Sequence, residues 1–320
     1  MAKINLIAWN NQVGLGQDLI LLTHALVQLG HQVFMTPAGP RRSDGSLRAR
    51  CHQLLRRNRP IYDINIMLEH IRPAFCWMAP LNLFIPNPEW FSARDAKSLH
   101  LIDAVFTKTI AATRLFTPKH PATHYVGFTS VDKYAPEVAK TQTFLHLSGA
   151  SKMKGTQRLI ATWRRHPEWP LLTVYQSYPP CQGDGEAANI CRTIARLDAE
   201  SVRVLQNRHR YHLCLSEAEG WGHYIVEAMS CAAVVFVCDA APMNELISPD
   251  RGRCITASTA HSINQSPCWK FNVTAFEDAI RQTLSMTSED ADRIGHSARR
   301  WYVQNHGRFL EQLQAAIEQL

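Results

Sequence analysis

Residues 4–9, Ile-Asn-Leu-Ile-Ala-Trp, form an apolar run of strand length, and a polar, glycine-bearing stretch follows over 10–16. Leu19, Leu22, Leu26 and Leu29 then recur at three- and four-residue spacing, which places them on one face of a helix predicted over 17–29. Gly30 stands just past the last periodic leucine, where a helix-ending glycine belongs, and residues 32–35 predict a strand directly after it. Strand, helix and strand in that order make a βαβ unit. Further strands are predicted over 64–68, 81–85, 104–107 and 124–127, separated by stretches long enough for parallel crossovers. The first 130 residues therefore read as a doubly wound α/β domain.

Residues 128–141 mix Thr, Ser, Asp, Lys, Pro and Gln without periodicity and predict a break between domains. Past it the pattern starts afresh. A strand is predicted over 144–147, a helix over 155–165, a strand over 171–175, a Pro/Gly-rich loop over 178–185 and helical material to 206. A strand over 211–215, a helix over 222–230, a strand over 234–238 and helices from 274 and 288 onward follow. The expected organisation is a Rossmann-like domain over 1–135, a second over 140–295, and a last helix over 296–320 packing back on the first domain.

Composition narrows the class. At 320 residues the chain holds about two ordinary domains. With 46% apolar and 19% charged residues it is neither disordered nor collagenous. Apolar runs such as 231–238 stop at eight residues, far below the roughly 20 of a spanning helix. The apolar start is broken at Asn5 and again at 10–12, too short and too polar for a signal-peptide core. A cytosolic location is expected. Nine cysteines, an odd set without a C-x-x-C pair, fit reduced, buried thiols, and no cluster has metal-ligand spacing. The net charge of +7 favours an anionic partner: a phosphate-bearing ligand, nucleic acid or an acidic membrane.

The chemistry concentrates in residues 216–229, Ser-Glu-Ala-Glu-Gly-Trp-Gly-His-Tyr-Ile-Val-Glu-Ala-Met, where a strand delivers an acidic, glycine-rich turn into a helix. Open α/β sheets bind ligands at such strand ends. Gly220 and Gly222 let the backbone approach a ligand, and the N–H groups opening the helix suit a pyrophosphate. Glu219 lies in the turn and Glu227 eight residues on, so both carboxylates are expected to face one cleft and to accept hydrogen bonds from sugar or ribose hydroxyls. A solvated loop acid and a surface helix acid would leave the glycines flanking Trp221 unexplained.

Glu219 and Glu227, with Gly-Trp-Gly after the first, resemble the E-x7-E signature of retaining GT-B glycosyltransferases, most of all glycosyltransferase family 4. The likeness continues through Glu227-Ala-Met-Ser, the strand at 234–237 and Ala241-Pro-Met-Asn-Glu245, and the stretch from 144 to Gly149, Lys154 and Gly155 is similar to the family's phosphate-binding element. The family's arginine after the glycine is Ala150 here, with Lys152 as the residue that would supply its charge. The resemblance implies an α/β fold of GT-B architecture, two Rossmann-like domains facing a central cleft. It implies a hexosyltransferase moving a sugar, with retention, from a UDP- or GDP-sugar to an acceptor hydroxyl, without cofactor or metal. Glu219 and Lys154 are then the catalytic pair. Gly16, Gly149, Lys152, Gly220, Trp221, Gly222, His223, Glu227, Met243, Asn244 and Glu245 would bind the donor, Glu227 at the ribose and the backbone of 243–245 at the sugar or diphosphate.

The acceptor side is less defined. The glycines of 10–16 resemble the turn with which GT-B enzymes open, and the N-domain residue near the donor sugar stays open among His70, Asn87 and Glu89. Arg41, Arg42, Arg48, Arg50, Arg56, Arg57 and Arg59 stand against the single acid Asp44. Such a run suits phosphates, with a solvated helix face as the alternative. Arg56, Arg57 and Arg59 are thus acceptor candidates for an anionic or glycan acceptor, most simply a glycan or lipid-linked glycan. The run at 41–59 also offers peripheral contact with the inner face of a membrane, or with DNA. A DNA-modifying enzyme of the same fold and a non-catalytic sugar-nucleotide or nucleic-acid binding module are the rivals. Asp290 and Asp292 match a metal-binding D-x-D in spacing but follow Thr287-Ser288 as acids of a helix start would.

Overall fold

The computed structural model describes residues 1–8, 14–39, 59–180 and 187–320. The chain divides into two compact units, one of 1–129, 263–266 and 306–320 and another of 130–262 and 267–305.

The first unit is built on β1 (Lys3–Ala8), α1 (Gly14–Gln28), β2 (Gln32–Pro37), β3 (Ile64–Leu68), β4 (Leu81–Ile85), α2 (Ala93–Ser98), β5 (Ala104–Thr107), α3 (Ile110–Phe116) and β6 (Thr123–Tyr125). Its six strands run in the order β2-β1-β3-β4-β5-β6, parallel throughout. All five residues of β3 are buried, as strands covered on both faces must be. Within this apolar sheet lies a polar ladder. Asn5, Asn65 and Asn82 occupy matched positions on β1, β3 and β4. Asn5 Nδ2 donates to Asn65 Oδ1 at 3.0 Å, and Asn65 Nδ2 to Asn82 Oδ1 at 2.9 Å. Thr36 on β2 adds a bond to Asn5 Oδ1 at 2.8 Å. A slip of one residue would bury each of these amides without a partner, so the ladder fixes register. Below the sheet Phe84, Phe91 and Phe116 interlock, with ring centroids 4.8–6.3 Å apart.

The second unit contains β7 (Thr141–Gly149), α4 (Thr156–Trp163), β8 (Leu172–Gln176), β9 (Ile190–Ile194), α5 (Ala199–Arg208), β10 (His209–Cys214), α6 (His223–Ser230), β11 (Val234–Asp239), α7 (Met243–Leu246), β12 (Gly252–Ile263), β13 (Ser266–Phe271) and α8 (Val273–Leu284). Strand order is β13-β12-β11-β10-β7-β8-β9, with β12 through β9 parallel. Phe144, Trp163, Leu213, Val235 and Phe236 are fully buried around it. The final helix α9 (Ser288–Glu318) contributes to both units.

Several expectations are corrected. Helix α1 begins at Gly14, so Gly16 is a helical residue and not part of a loop. Residues 190–194 form β9 where helical material was expected, because the strand's half-exposed, mixed sequence carries no clean period. The β12–β13 pair was not anticipated, since β12 is exposed over much of its length. The helix expected from 288 onward is continuous over Ser288–Glu318, so the separate last helix expected over 296–320 is part of it. Asp290 and Asp292 do stand in its opening turns, as the acids of a helix start: Thr287 Oγ1 accepts from Asp290 N at 3.1 Å, and Asp292 pairs with Arg210 at 2.5 Å. The described cysteines are free thiols, but only Cys214, Cys231, Cys238 and Cys268 are buried, with Cys191 and Cys254 exposed.

Candidate active site

Strands β7 and β10 are neighbours in parallel register, so the loops that leave their carboxyl ends, 150–155 and 215–222, emerge side by side. Two contacts lock them together. Glu217 N donates to Met153 O at 2.8 Å, and Gly155, at φ +70°, lies so close that a Cβ there would stand 2.5 Å from Leu215 O. Only glycine supplies both that φ and that clearance. Underneath, buried His146 Nδ1 donates to Leu213 O at 2.7 Å, and its Nε2 accepts from Thr156 Oγ1 at 2.8 Å. Burial drives the imidazole pKa down to about 4, so the ring is neutral and serves as a strut between β10 and the start of α4.

This arrangement brings Lys154 and Glu219 together: Lys154 Nζ donates to Glu219 Oε1. The two side chains are 17% and 13% exposed, sheltered but reachable by a ligand. Ser216 Oγ donates to the same carboxylate oxygen at 2.5 Å and is itself hydrogen-bonded to the Tyr224 hydroxyl. The Lys154 ammonium also lies 3.8 Å from the centre of the Tyr224 ring. Ser216 and Tyr224 were not singled out from the sequence. Their signals were a serine three residues before the acid and a tyrosine in the first turn after the glycines, neither of which carries meaning until residue 154 is placed beside them.

Gly222 caps α6 at φ +96° with no side-chain hydrogen bond, and Ile225 N bonds Gly222 O at 2.9 Å, so the first turn of that helix begins at the end of the loop after β10. Gly220 lies in the buried turn before it. Trp221, read as a donor residue, is buried, and its indole N–H donates to Ser130 Oγ at 3.2 Å. His223 Nδ1 meets the same hydroxyl at 2.9 Å. These two therefore anchor the turn to residue 130. Glu227 is buried on α6 with Gln206 Nε2 donating to its Oε2 at 3.3 Å. Buried Met243 opens the single turn α7; Asn244 N bonds Ala240 O and Glu245 N bonds Pro242 O, so those two N–H groups are committed inside the turn. Gly149, at φ +56°, ends β7. Lys152 diverges from Lys154: it lines a cavity of about 130 Å³ with Arg158, Glu217 and Lys270. Among the described residues no group of three His, Cys, Asp or Glu side chains is arranged to hold a metal ion.

The remaining candidates belong to the first unit. His70 Nδ1 meets Asp95 Oδ2 at 3.2 Å. Burial works to raise the Asp95 pKa, but hydrogen bonds from His70 and Ser92 outweigh it and hold the carboxyl at about 2. Asn87 accepts from Trp90 N and Phe91 N through its backbone, and Glu89 O accepts from Asn264 Nδ2 at 2.6 Å. Next to His70, Glu69 adopts φ +67°, rare for a residue with a side chain, and burial raises its pKa. Lys108 and Asp18 form a nearly buried ion pair of 2.9 Å. Glu69, Lys108 and Asp18 were not anticipated, because no local pattern marks them. Gly16 lies in the first turn of α1; Arg56 and Arg57 fall outside the described residues, and Arg59 is exposed ahead of β3.

No protein-family model matches the chain. A stretch of 131 residues is 29% identical to the GDP-mannose:cellobiosyl-diphosphopolyprenol alpha-mannosyltransferase of Xanthomonas oryzae pv. oryzae (strain PXO99A), covering 37% of this chain and 34% of that protein. The match thus spans about a third of the mannosyltransferase's length. Among solved structures, Anabaena Alr3699/HepE in complex with UDP and glucose superposes with a TM-score of 0.71 over 100% of both chains at 16% identity. Sucrose-phosphate synthase from Thermosynechococcus elongatus does so with a TM-score of 0.73 over 100% of this chain and 99% of that one, at 14% identity. Two parallel-sheet α/β domains matching these glycosyltransferases along the whole chain are the GT-B fold. The comparisons lend no support to a DNA-modifying enzyme.

Proposed function

We propose that this chain is a retaining glycosyltransferase that moves a sugar from a nucleotide-diphosphate donor to an acceptor hydroxyl. The observation that carries the reading is the Lys154–Glu219 pair at the joined ends of β7 and β10, beside the uncapped start of α6. An ammonium and a carboxylate this sheltered suit a ligand bearing both a diphosphate and hydroxyls, because each group then trades its partner for the matching part of the ligand. Glu219 accepts from donor-sugar hydroxyls, Lys154 and the α6 N–H groups take the diphosphate, and Glu227 takes the ribose. Transfer breaks the bond between the anomeric carbon and the diphosphate oxygen. The acceptor oxygen bonds to that carbon on the same face, and its proton leaves with the diphosphate. Lys154 stabilises the charge that grows on the leaving group, which gives it an effect on the transition state larger than on the bound donor.

Donors of the UDP or GDP class are supported by HepE, solved with UDP and glucose, and by the GDP-mannose in the Xanthomonas protein's name. That name also supports a glycan or lipid-linked glycan acceptor, and the +7 charge fits one carrying phosphate or lying at an anionic surface. No described helix is long and apolar enough to cross a membrane, and membrane contact is proposed only at the periphery, through the basic run at 41–59.

The test is product analysis. With UDP-glucose and GDP-mannose offered against a panel of neutral and lipid-linked saccharides, proton NMR of the product should show the donor's anomeric configuration retained. Glu219→Ala should lower turnover by at least about tenfold to a hundredfold. An inverted product, or transfer by Glu219→Ala at the wild-type rate, contradicts the reading.

A further inference from the structure

We infer that Tyr224 is the positioning residue that holds Lys154 and Glu219 in register, gripping the cation with its ring face and the carboxylate through Ser216. This rests on the reading of that pair as donor-binding.

The geometry closes a loop of four side chains. Lys154 Nζ sits 3.8 Å above the Tyr224 ring centre, inside the range of a cation–π contact, while it also donates to Glu219 Oε1. Ser216 Oγ donates its one proton to Glu219 Oε1 at 2.5 Å. The hydrogen bond between Ser216 Oγ and the Tyr224 hydroxyl must therefore have the phenol as donor. Burial, with Cys214 and Glu219 nearby, raises the phenol's pKa well above its ordinary value, which keeps that proton in place. Tyr224 lies in the first turn of α6 and Lys154 ends the loop after β7, so one aromatic ring ties together two loops whose strands are neighbours.

The two ends of the tyrosine act on different parts of the donor. When a diphosphate draws the ammonium away from Glu219, the ring face still confines it, so the cation meets the phosphates without a search through its rotamers. Freed from lysine, Glu219 keeps the Ser216 bond and stays aimed at the sugar. Lys154 relies on the ring and Glu219 on the hydroxyl, so substitutions that remove one and spare the other should separate binding of the diphosphate from binding of the sugar. A role confined to packing would not separate them.

Wild type, Tyr224→Phe, Tyr224→Leu and Ser216→Ala are titrated calorimetrically with UDP and UDP-glucose, and with GDP and GDP-mannose. Tyr224→Phe keeps the ring, so its affinity for the nucleoside diphosphate should equal wild type, while the added affinity due to the sugar falls by about three- to tenfold. Ser216→Ala should show the same pattern. Tyr224→Leu should weaken the nucleoside diphosphate itself by about three- to thirtyfold. Thermal melts of Tyr224→Phe, the mildest change, establish that the fold is intact. Wild-type affinities in both Tyr224 variants, or equal losses in the two variants for every ligand, overturn the inference alone. A wild-type protein that binds no nucleotide or nucleotide sugar overturns the reading beneath it, and the inference with it.

Discussion

At the scale of single residues, the loop junction gives the sharpest expectation about stability. A methyl group at Gly155 would meet Leu215 O at 2.5 Å in a left-handed backbone, whereas one at Gly149, also left-handed, meets nothing within 4 Å. Gly149→Ala should therefore cost only the backbone penalty, about 1–2 kcal/mol, and Gly155→Ala about 2–4 kcal/mol, because the carbonyl must also move. Urea unfolding of the two variants checks the order; equal losses would show that the loops are not locked as described. The sequence pointed to Glu219 through the chemistry of a glycine turn and to Lys154, 65 residues away, only through the resemblance of 144–155 to a phosphate-binding element. It offered no route to Tyr224, whose meaning depends on a neighbour that only sheet order supplies. Trp221 shows the reverse difficulty: a tryptophan between two glycines reads as exposed to a ligand, yet its indole is buried against Ser130.

Among elements, the strands of both units were legible as apolar runs, because buried parallel strands need apolar residues on both faces. Asn5, Asn65 and Asn82 each stand second in an apolar triplet, a pattern visible in the chain that acquires a cause only once β1, β3 and β4 lie side by side. Asn65→Ala removes its bonds to Asn5, Asn82 and the Phe75 carbonyl, and should cost about 2–4 kcal/mol in chemical unfolding. A loss below about 1 kcal/mol would mean the ladder does not fix the sheet. The largely exposed β12, its partner β13 and the short β9 were not legible as strands because none has a fully buried face.

Three histidines set the second unit's response to acid. Burial lowers the pKa of His146 on β7 and of His209 on β10 to about 4, and that of His212 on β10 to about 3. From their ordinary value of about 6.5 downward, the unfolded chain binds protons that the native state refuses, so stability is full above pH 6.5 and falls as the pH drops toward 4. Each contributes about 1.4 kcal/mol per pH unit in that window. The urea midpoint should therefore fall steeply between about pH 6 and pH 4, and a flat profile there would contradict neutral, buried rings. Asp95 in the first unit acts in the same direction at lower pH: held at about 2, it contributes stability above its ordinary pKa near 4 and loses it only as the pH falls below that.

On the scale of the whole molecule, the chain carries a GT-B fold, and the proposed chemistry lies at the carboxyl ends of two central strands of the second unit. If Lys154 and the α6 N–H groups neutralise the diphosphate, transfer should persist in excess EDTA, and complete, metal-reversible inhibition would show that a cation does that work instead. The donor site itself is tested most directly by equilibrium titration of wild type, Lys154→Ala and Glu227→Ala with UDP-glucose and GDP-mannose. Wild type should bind at least one of the two, and each substitution should weaken that donor by about tenfold or more, the loss of a charge-assisted or buried hydrogen bond. Wild-type protein that binds neither donor, or variants that bind as tightly as wild type, would contradict a donor site at the joined ends of β7 and β10.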